Sequence, residues 1–258
     1  MSGTDQIRSE FSDGILTIRI NRPDKKNALN LAMYRLLADS LRKADSDETV
    51  RVILICGTAT CFTSGNDLAD FITAPQPGPD SPVMQFLAAL VEARKPLVAA
   101  VNGMAVGIGV TMLLHCDLVY AGSGATFQMP FVNLGLCPEA GSTLLLPMIM
   151  GHQRAAELLL LGEVFSAEKA RAIGIVTEVC PDGDTYAIAR GKALQVAAQP
   201  AAAARLAKNL LKRSYVGLLQ ETIIEEGGQF LARLQSPEAA EALLAFMQRR
   251  KPDFSSFG

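Results

Sequence analysis

Two segments of this chain are apolar almost without interruption: V-R-V-I-L-I-C at 50–56 and L-V-A-A-V at 97–101. A strand with one face in water alternates apolar and polar residues, whereas a strand covered on both faces does not. Such runs call for a buried, largely parallel sheet with helices packed on it, which is the α/β class. The neighbouring sequence agrees. Ile7–Phe11 and Ile15–Ile20 flank the turn Ser12-Asp13-Gly14 and read as a hairpin. Asn30 can cap a helix over Leu31–Ala44, where Met33, Leu36, Leu37, Leu41 and Ala44 recur at helical spacing. Leu118–Ala121 and Ile175–Val179 predict further strands. Thr73–Pro82, with four prolines and a glycine, predicts a loop at the mouth of any site beside it. Beyond about Asp182 the strand pattern stops. Tyr186–Ala198, Ala201–Arg213, Tyr215–Leu234 and Pro237–Arg249 read as consecutive helices, with breaks at Pro200 and Pro237. The expected division is therefore an α/β unit over 1–198 and a helical unit over 199–258.

Composition narrows the function classes. Hydrophobic residues make up 49% of the 258 and charged ones 19%, so apolar surface is available for burial between subunits. Leu206, Leu210, Leu218, Ile223, Phe230, Leu234, Leu243 and Phe246 concentrate it in the helical end, which predicts a trimer or dimer of trimers. No window approaches the roughly 18 apolar residues of a membrane span. The first ten residues do not read as a secretory signal and the last five are not a peroxisomal address, so the expected location is cytoplasmic. A net charge of −2 argues against general nucleic-acid binding. The five cysteines include no C-x-x-C pair and read as reduced core thiols. Two histidines supply a metal site poorly, and each reads as structural or exposed. No G-x-S-x-G elbow is present to anchor a hydrolase reading.

Chemistry points instead to two glycine turns that enter helices. One is C-F-T-S-G-N-D-L at 61–68, the other V-N-G-M-A-V-G-I-G-V-T at 101–111. Glycine there lets backbone approach a ligand, and the first N–H groups of a helix have no partner within it. Gly107 and Gly109 do not complete a dinucleotide fingerprint, because Met112 stands where a third small residue is needed. Taken alone, either turn could equally be ordinary packing.

Together with R-P-D-K-K-N-A-L-N (22–30), K-P-L-V-A-A-V-N-G-M-A-V-G-I-G (95–109), C-D-L-V-Y-A (116–121), A-T-F-Q-M-P (125–130), N-L-G-L-C-P-E (133–139) and A-I-G-I-V-T-E-V (172–179), these turns form an ordered set. The chain resembles the enoyl-CoA hydratase/isomerase (crotonase) superfamily over about 5–250. The resemblance implies a spiral of ββα units, a helical C-terminal trimerisation region and an acyl-CoA thioester substrate of fatty-acid metabolism. Coenzyme A arrives as part of that substrate, so no separate cofactor and no metal is expected. It also implies that the amides of Asn66 and Ile108 receive the thioester oxygen. Ser64, Gly65, Asn66, Asp67, Leu68, Lys25 and Ala28 become the expected substrate-binding residues. Many members carry glycine where Ile108 stands, and the larger residue is expected to narrow the acyl entrance.

Hydratases of the superfamily use two carboxylates, at positions occupied here by Thr111 and Phe131. Neither residue can act as a general acid or base. Glu139, in C-P-E, matches instead the single glutamate of the peroxisomal-type Δ3,Δ2-enoyl-CoA isomerases. The alternative for Glu139 is a helix-start acid stabilised by the helix dipole. Asp67 and Asp117 read as helix-start and turn residues. Hydration, another crotonase-type reaction, or a non-catalytic acyl-CoA-binding role stand as alternatives to isomerisation.

Overall fold

The hairpin expected near the N-terminus forms one edge of the larger of two sheets. In the computed structural model, which describes residues 6–67, 78 and 80–257, it consists of β1 (Ile7–Ser12) and β2 (Ile15–Ile20). Asp13 and Gly14 take positive φ at its turn. The two apolar runs become β3 (Val52–Cys56) and, after β4 (Cys61–Thr63), β5 (Leu97–Val101); every residue of β3 and β5 is buried. Then come β6 (Met104–Val106), β7 (Leu118–Gly122), β8 (Thr126–Gln128), β9 (Phe165–Ser166) and β10 (Glu178–Cys180).

The sheet orders are β1-β2-β3-β5-β7-β10 and β4-β6-β8-β9. From β2 onward the larger sheet is parallel, as are β4, β6 and β8. Three times in succession the chain lays one strand in the large sheet and the next in the small one. That alternation is a spiral of two-strand turns, the fold class expected.

Helices cover both faces of the large sheet. On one side lie α1 (Leu31–Ser46) and α2 (Pro82–Glu92), whose buried residues join Ile53, Ile55, Ala99 and Val101 in one core. The Asn30 side chain accepts from Met33 N at 2.9 Å, the expected cap. The chain continues through α3 (Ile108–Thr111), α4 (Ser142–Met150), α5 (His152–Leu161) and α6 (Ala167–Ala172). The opposite face of the sheet is closed by α7 (Thr185–Ala197), with Ala189 and Ala193 against Leu54, Val98 and Tyr120. The last three helices are α8 (Ala201–Lys212), α9 (Val216–Leu234) and α10 (Pro237–Met247). Leu219, Ile223 and Ala239 from this end belong to the same core as the α/β body. Burial of a side chain such as Leu219 or Ile223 stabilises by roughly 1.5–3 kcal/mol. No described helix is long and apolar enough to cross a membrane.

Three expectations change. The strand expected at 175–179 begins only at Glu178. Ile175 and Val176 both direct their N–H groups to Ala170 O, closing α6 after Gly174 turns at φ +88°, so their backbone is unavailable to a sheet. Pro82 is the first residue of α2, where a proline needs no N–H, and Ser81 caps it by accepting from Met84 N. Most of the expected loop at 73–82 lies outside the described residues. Finally, not all of the apolar helical residues face outward. Leu206, Leu210, Leu218 and Phe246 are exposed, while Ile223 is core and Phe230 and Leu234 pack against it.

Candidate active site

The small sheet and its loops open onto a cavity of about 650 Å³. One wall is the glycine turn after β4. Leu29 N donates to Gly65 O at 2.8 Å and Asp67 N to Leu29 O at 2.9 Å. Successive amides of extended backbone face opposite ways, so the Asn66 N–H points away from Leu29. Gly65 can take this path because it is glycine: its φ is +92°, and a Cβ would stand 2.9 Å from Val106 O. The Tyr34 hydroxyl donates to Asn66 Oδ1 and holds the side chain.

The second glycine turn lies beside the first. Gly107 lines the cavity with φ +56°, and its N–H goes to Gln128 O at 2.9 Å. Ile108 is the first residue of α3, so its N–H has no carbonyl within the helix. The Ile108 side chain is fully buried in the core, and Gly107 occupies the wall instead. The expected narrowing of the entrance by Ile108 is therefore absent.

Lys25, Lys26, Ala28, Ser64, Gly65 and Asp67 line the same cavity, with both lysines exposed at its rim. Leu68 lies outside the described residues. Asn27, which sequence reasoning missed, secures this rim. Buried and at φ +58°, it donates to Cys61 O at 2.8 Å and Phe62 O at 3.1 Å, and its Oδ1 accepts from Arg22 N. Asp67 pairs with Arg22 at 2.6 Å, and Asp117 accepts from Lys208 Nζ at 2.7 Å and Leu97 N. Both carboxylates are thus engaged in holding the fold.

Glu139 is different. It lies three residues beyond the cavity residue Leu136, is not itself among the residues lining the cavity, and is 6% exposed. The Thr111 hydroxyl donates to its Oε1 at 3.1 Å. Thr111 N donates back to Gly107 O, so one turn of α3 separates that hydroxyl from the Ile108 amide. Burial pushes the Glu139 carboxyl up to about 7; the Thr111 hydrogen bond opposes this, and the Glu226 charge adds to it. The N-terminus of α4 is capped by Glu226, which accepts from Gly141 N at 2.6 Å, Thr143 N at 3.0 Å and Thr143 Oγ1 at 2.6 Å. At this helix start the side-chain acceptor is therefore Glu226, while the Glu139 carboxylate bonds to Thr111. Phe131, at the other hydratase position, lies over Gly107: a Cβ there would stand 3.9 Å from its ring. Phe230 and Phe246, from the helical end, complete the apolar wall. Their part in the cavity was not visible in sequence, because helical spacing alone does not say which neighbour a face meets.

His115 is structural, as expected. Its Nε2 donates to Ala140 O at 2.8 Å, and burial pulls its pKa down to about 4, so it is neutral. The five cysteines are free, and burial raises each thiol's pKa.

Two sheets fed alternately by successive strands, with glycine turns opening on one cavity, define the crotonase fold. OdaA of Pseudomonas aeruginosa shares it with a TM-score of 0.93 and 50% identity, over 95% of this chain and 100% of that one. The match to the enoyl-CoA hydratase/isomerase family runs over residues 10–256, and the chain belongs to that family. Human enoyl-CoA delta isomerase 2 is 34% identical over 96% of this chain; the chain spans 66% of the human protein, just under two thirds. The 2,3-dehydroadipyl-CoA hydratase of Escherichia coli K12 is 35% identical over 93% of this chain and 94% of that protein. Proteins named for isomerisation and for hydration are thus similarly related to this chain.

Proposed function

We propose that this protein is a Δ3,Δ2-enoyl-CoA isomerase. The observation that carries the reading is Glu139, a buried carboxylate that accepts from the Thr111 hydroxyl, with no carboxylate at positions 111 and 131. Water addition needs two groups that trade protons with water and substrate; moving a double bond needs only one. In this mechanism the thioester oxygen accepts from the Asn66 and Ile108 amides. Glu139 takes a proton from C2, breaking the C2–H bond. Its electron pair delocalises over C2–C4 and the thioester oxygen, and each preorganised N–H lowers the barrier by roughly 3–4 kcal/mol. The same carboxyl returns the proton to C4, so the bond at C3–C4 moves to C2–C3. A carboxyl near 7 suits both halves: it is basic enough to accept and acidic enough to give back. Lys25 and Lys26 would meet the phosphates of coenzyme A, and Phe131, Leu134, Leu136 and Phe230 the acyl chain.

The test is Glu139→Gln. Size and polarity are kept, but the proton cannot be accepted, so kcat should fall about 10²–10⁴-fold with KM little changed. Retention of more than about a tenth of kcat would exclude Glu139 as the base. Exposed Met148, Ile149, Leu160, Leu161 and Val164, with Leu206 and Leu210, supply the apolar surface for a trimer. A monomer mass in light scattering at micromolar concentration would contradict that assembly.

A further inference from the structure

Helix α9 forms part of the cavity wall, and one residue breaks its pattern. Leu219, Ile223, Glu226 and Phe230 fall at helical spacing on one face. The first two are buried in the core, Phe230 lines the cavity, and Glu226 is buried among them. A carboxylate in an apolar stripe destabilises a fold unless its oxygens find donors. Glu226 finds three, and all come from residues 141 and 143, directly after Glu139.

That turn needs holding. Ala140 and Gly141 take φ +60° and +73°, and for alanine the left-handed region is strained. His115 holds the Ala140 carbonyl, and Glu226 holds the Gly141 amide. Leu219 packs so closely that a Cβ on Gly141 would stand 2.2 Å from its Cδ1. The approach to Glu139 is tied to the same helix, since Arg233 Nε donates to Gly135 O at 2.9 Å.

We infer that Glu226 is a positioning residue for proton transfer: through it α9 fixes the Ala140–Gly141 turn, and with it the place of the Glu139 carboxylate. The inference rests on the isomerase reading. All three partners of Glu226 are donors and favour its ionised form, working against burial, which pushes its carboxyl above the ordinary glutamate value. The groups around Glu139 are the Thr111 hydroxyl from α3, Cys137 on its own loop, neutral His115 through Ala140, and Glu226 from α9. Of these, Glu226 supplies a like charge that makes Glu139 harder to ionise.

The test uses the full chain with Glu226→Gln and Glu226→Asp. Turnover of 3-enoyl-CoA is followed over pH 5–9, with melting curves to confirm folding. Glutamine cannot accept from both Gly141 and Thr143, so a shifted base should lower kcat about 10–100-fold, with KM within about twofold. The acid limb of the profile should also move to lower pH, because a like charge has gone. Aspartate should recover part of kcat and leave the limb at its wild-type position. Wild-type kcat in Glu226→Gln, or a lower kcat with an unmoved limb, would overturn the positioning role. If Glu226→Gln does not fold, Thr143→Val removes one donor with little change in shape. It should then lower kcat several-fold, and an unchanged kcat would overturn the inference. Glu139→Gln, run alongside, separates the two claims. If it stays active, the isomerase reading fails; if it is inactive while Glu226→Gln equals wild type, only the positioning role fails.

Discussion

The two parts of the candidate site, the Asn66 turn and the Glu139 turn, are held in place by different means. On the Asn66 side, backbone does the work: a parallel bridge to Leu29 fixes the Asn66 amide, and glycines with positive φ allow the close approach. On the Glu139 side, side chains from three separate parts of the chain, Thr111, His115 and Glu226, converge on one strained turn. The first arrangement is rigid and has little to tune. The second sets both the position and the acidity of one carboxyl, and each neighbour can be altered separately. Substitutions on the backbone side should therefore change rate at every pH. Those on the side-chain side should change rate and move the pH profile.

Gly65→Ala tests the first half of this contrast and should have the larger effect. The new Cβ meets Val106 O at 2.9 Å at φ +92°, so the Asn66 amide must shift. Loss of one aligned donor should lower kcat about 10²-fold with the acid limb unmoved, read from kcat against pH. A moved limb would show that the two sides are not independent.

Thr111→Val tests the second half. The hydroxyl favours the ionised form of Glu139 and pulls its pKa down from the level burial alone would set. Without it the pKa rises further, so the acid limb should move up by about one pH unit. Activity at pH 7 should fall about fivefold and largely return by pH 9. This shift is opposite in sign to that expected of Glu226→Gln. A profile that stays in place would mean that Thr111 does not control the base.

The same contrast explains what sequence reading could reach. On the Asn66 side the glycine, the turn and β4 lie within a few residues, so the run S-G-N-D was legible, while the bridge to Leu29, 37 positions away, was not. The hairpin, the apolar strands and the Asn30 cap were legible for the same reason. The Glu139 side joins residues 28 and 87 positions apart, and no spacing rule connects Thr111 to Glu139 or Glu139 to Glu226. A signal for Glu226 was nevertheless present, as a lone carboxylate in the apolar stripe of α9. The strand expected at 175–179 starts three residues late because an apolar, β-branched run satisfies a helix-closing turn as well as a strand. Phe230 and Phe246 read as surface for subunit contact because a helix's apolar face does not name its partner.

A carboxylate at Glu139, with none at positions 111 and 131, is proposed to limit this site to moving a double bond. The most direct test is to offer the wild-type protein 3-enoyl-CoA and 2-enoyl-CoA of the same chain length and compare kcat/KM for isomerisation and hydration. Without a carboxylate at positions 111 and 131, hydration should be slower by about 10²-fold or more. Hydration as fast as isomerisation, or faster, would contradict the account.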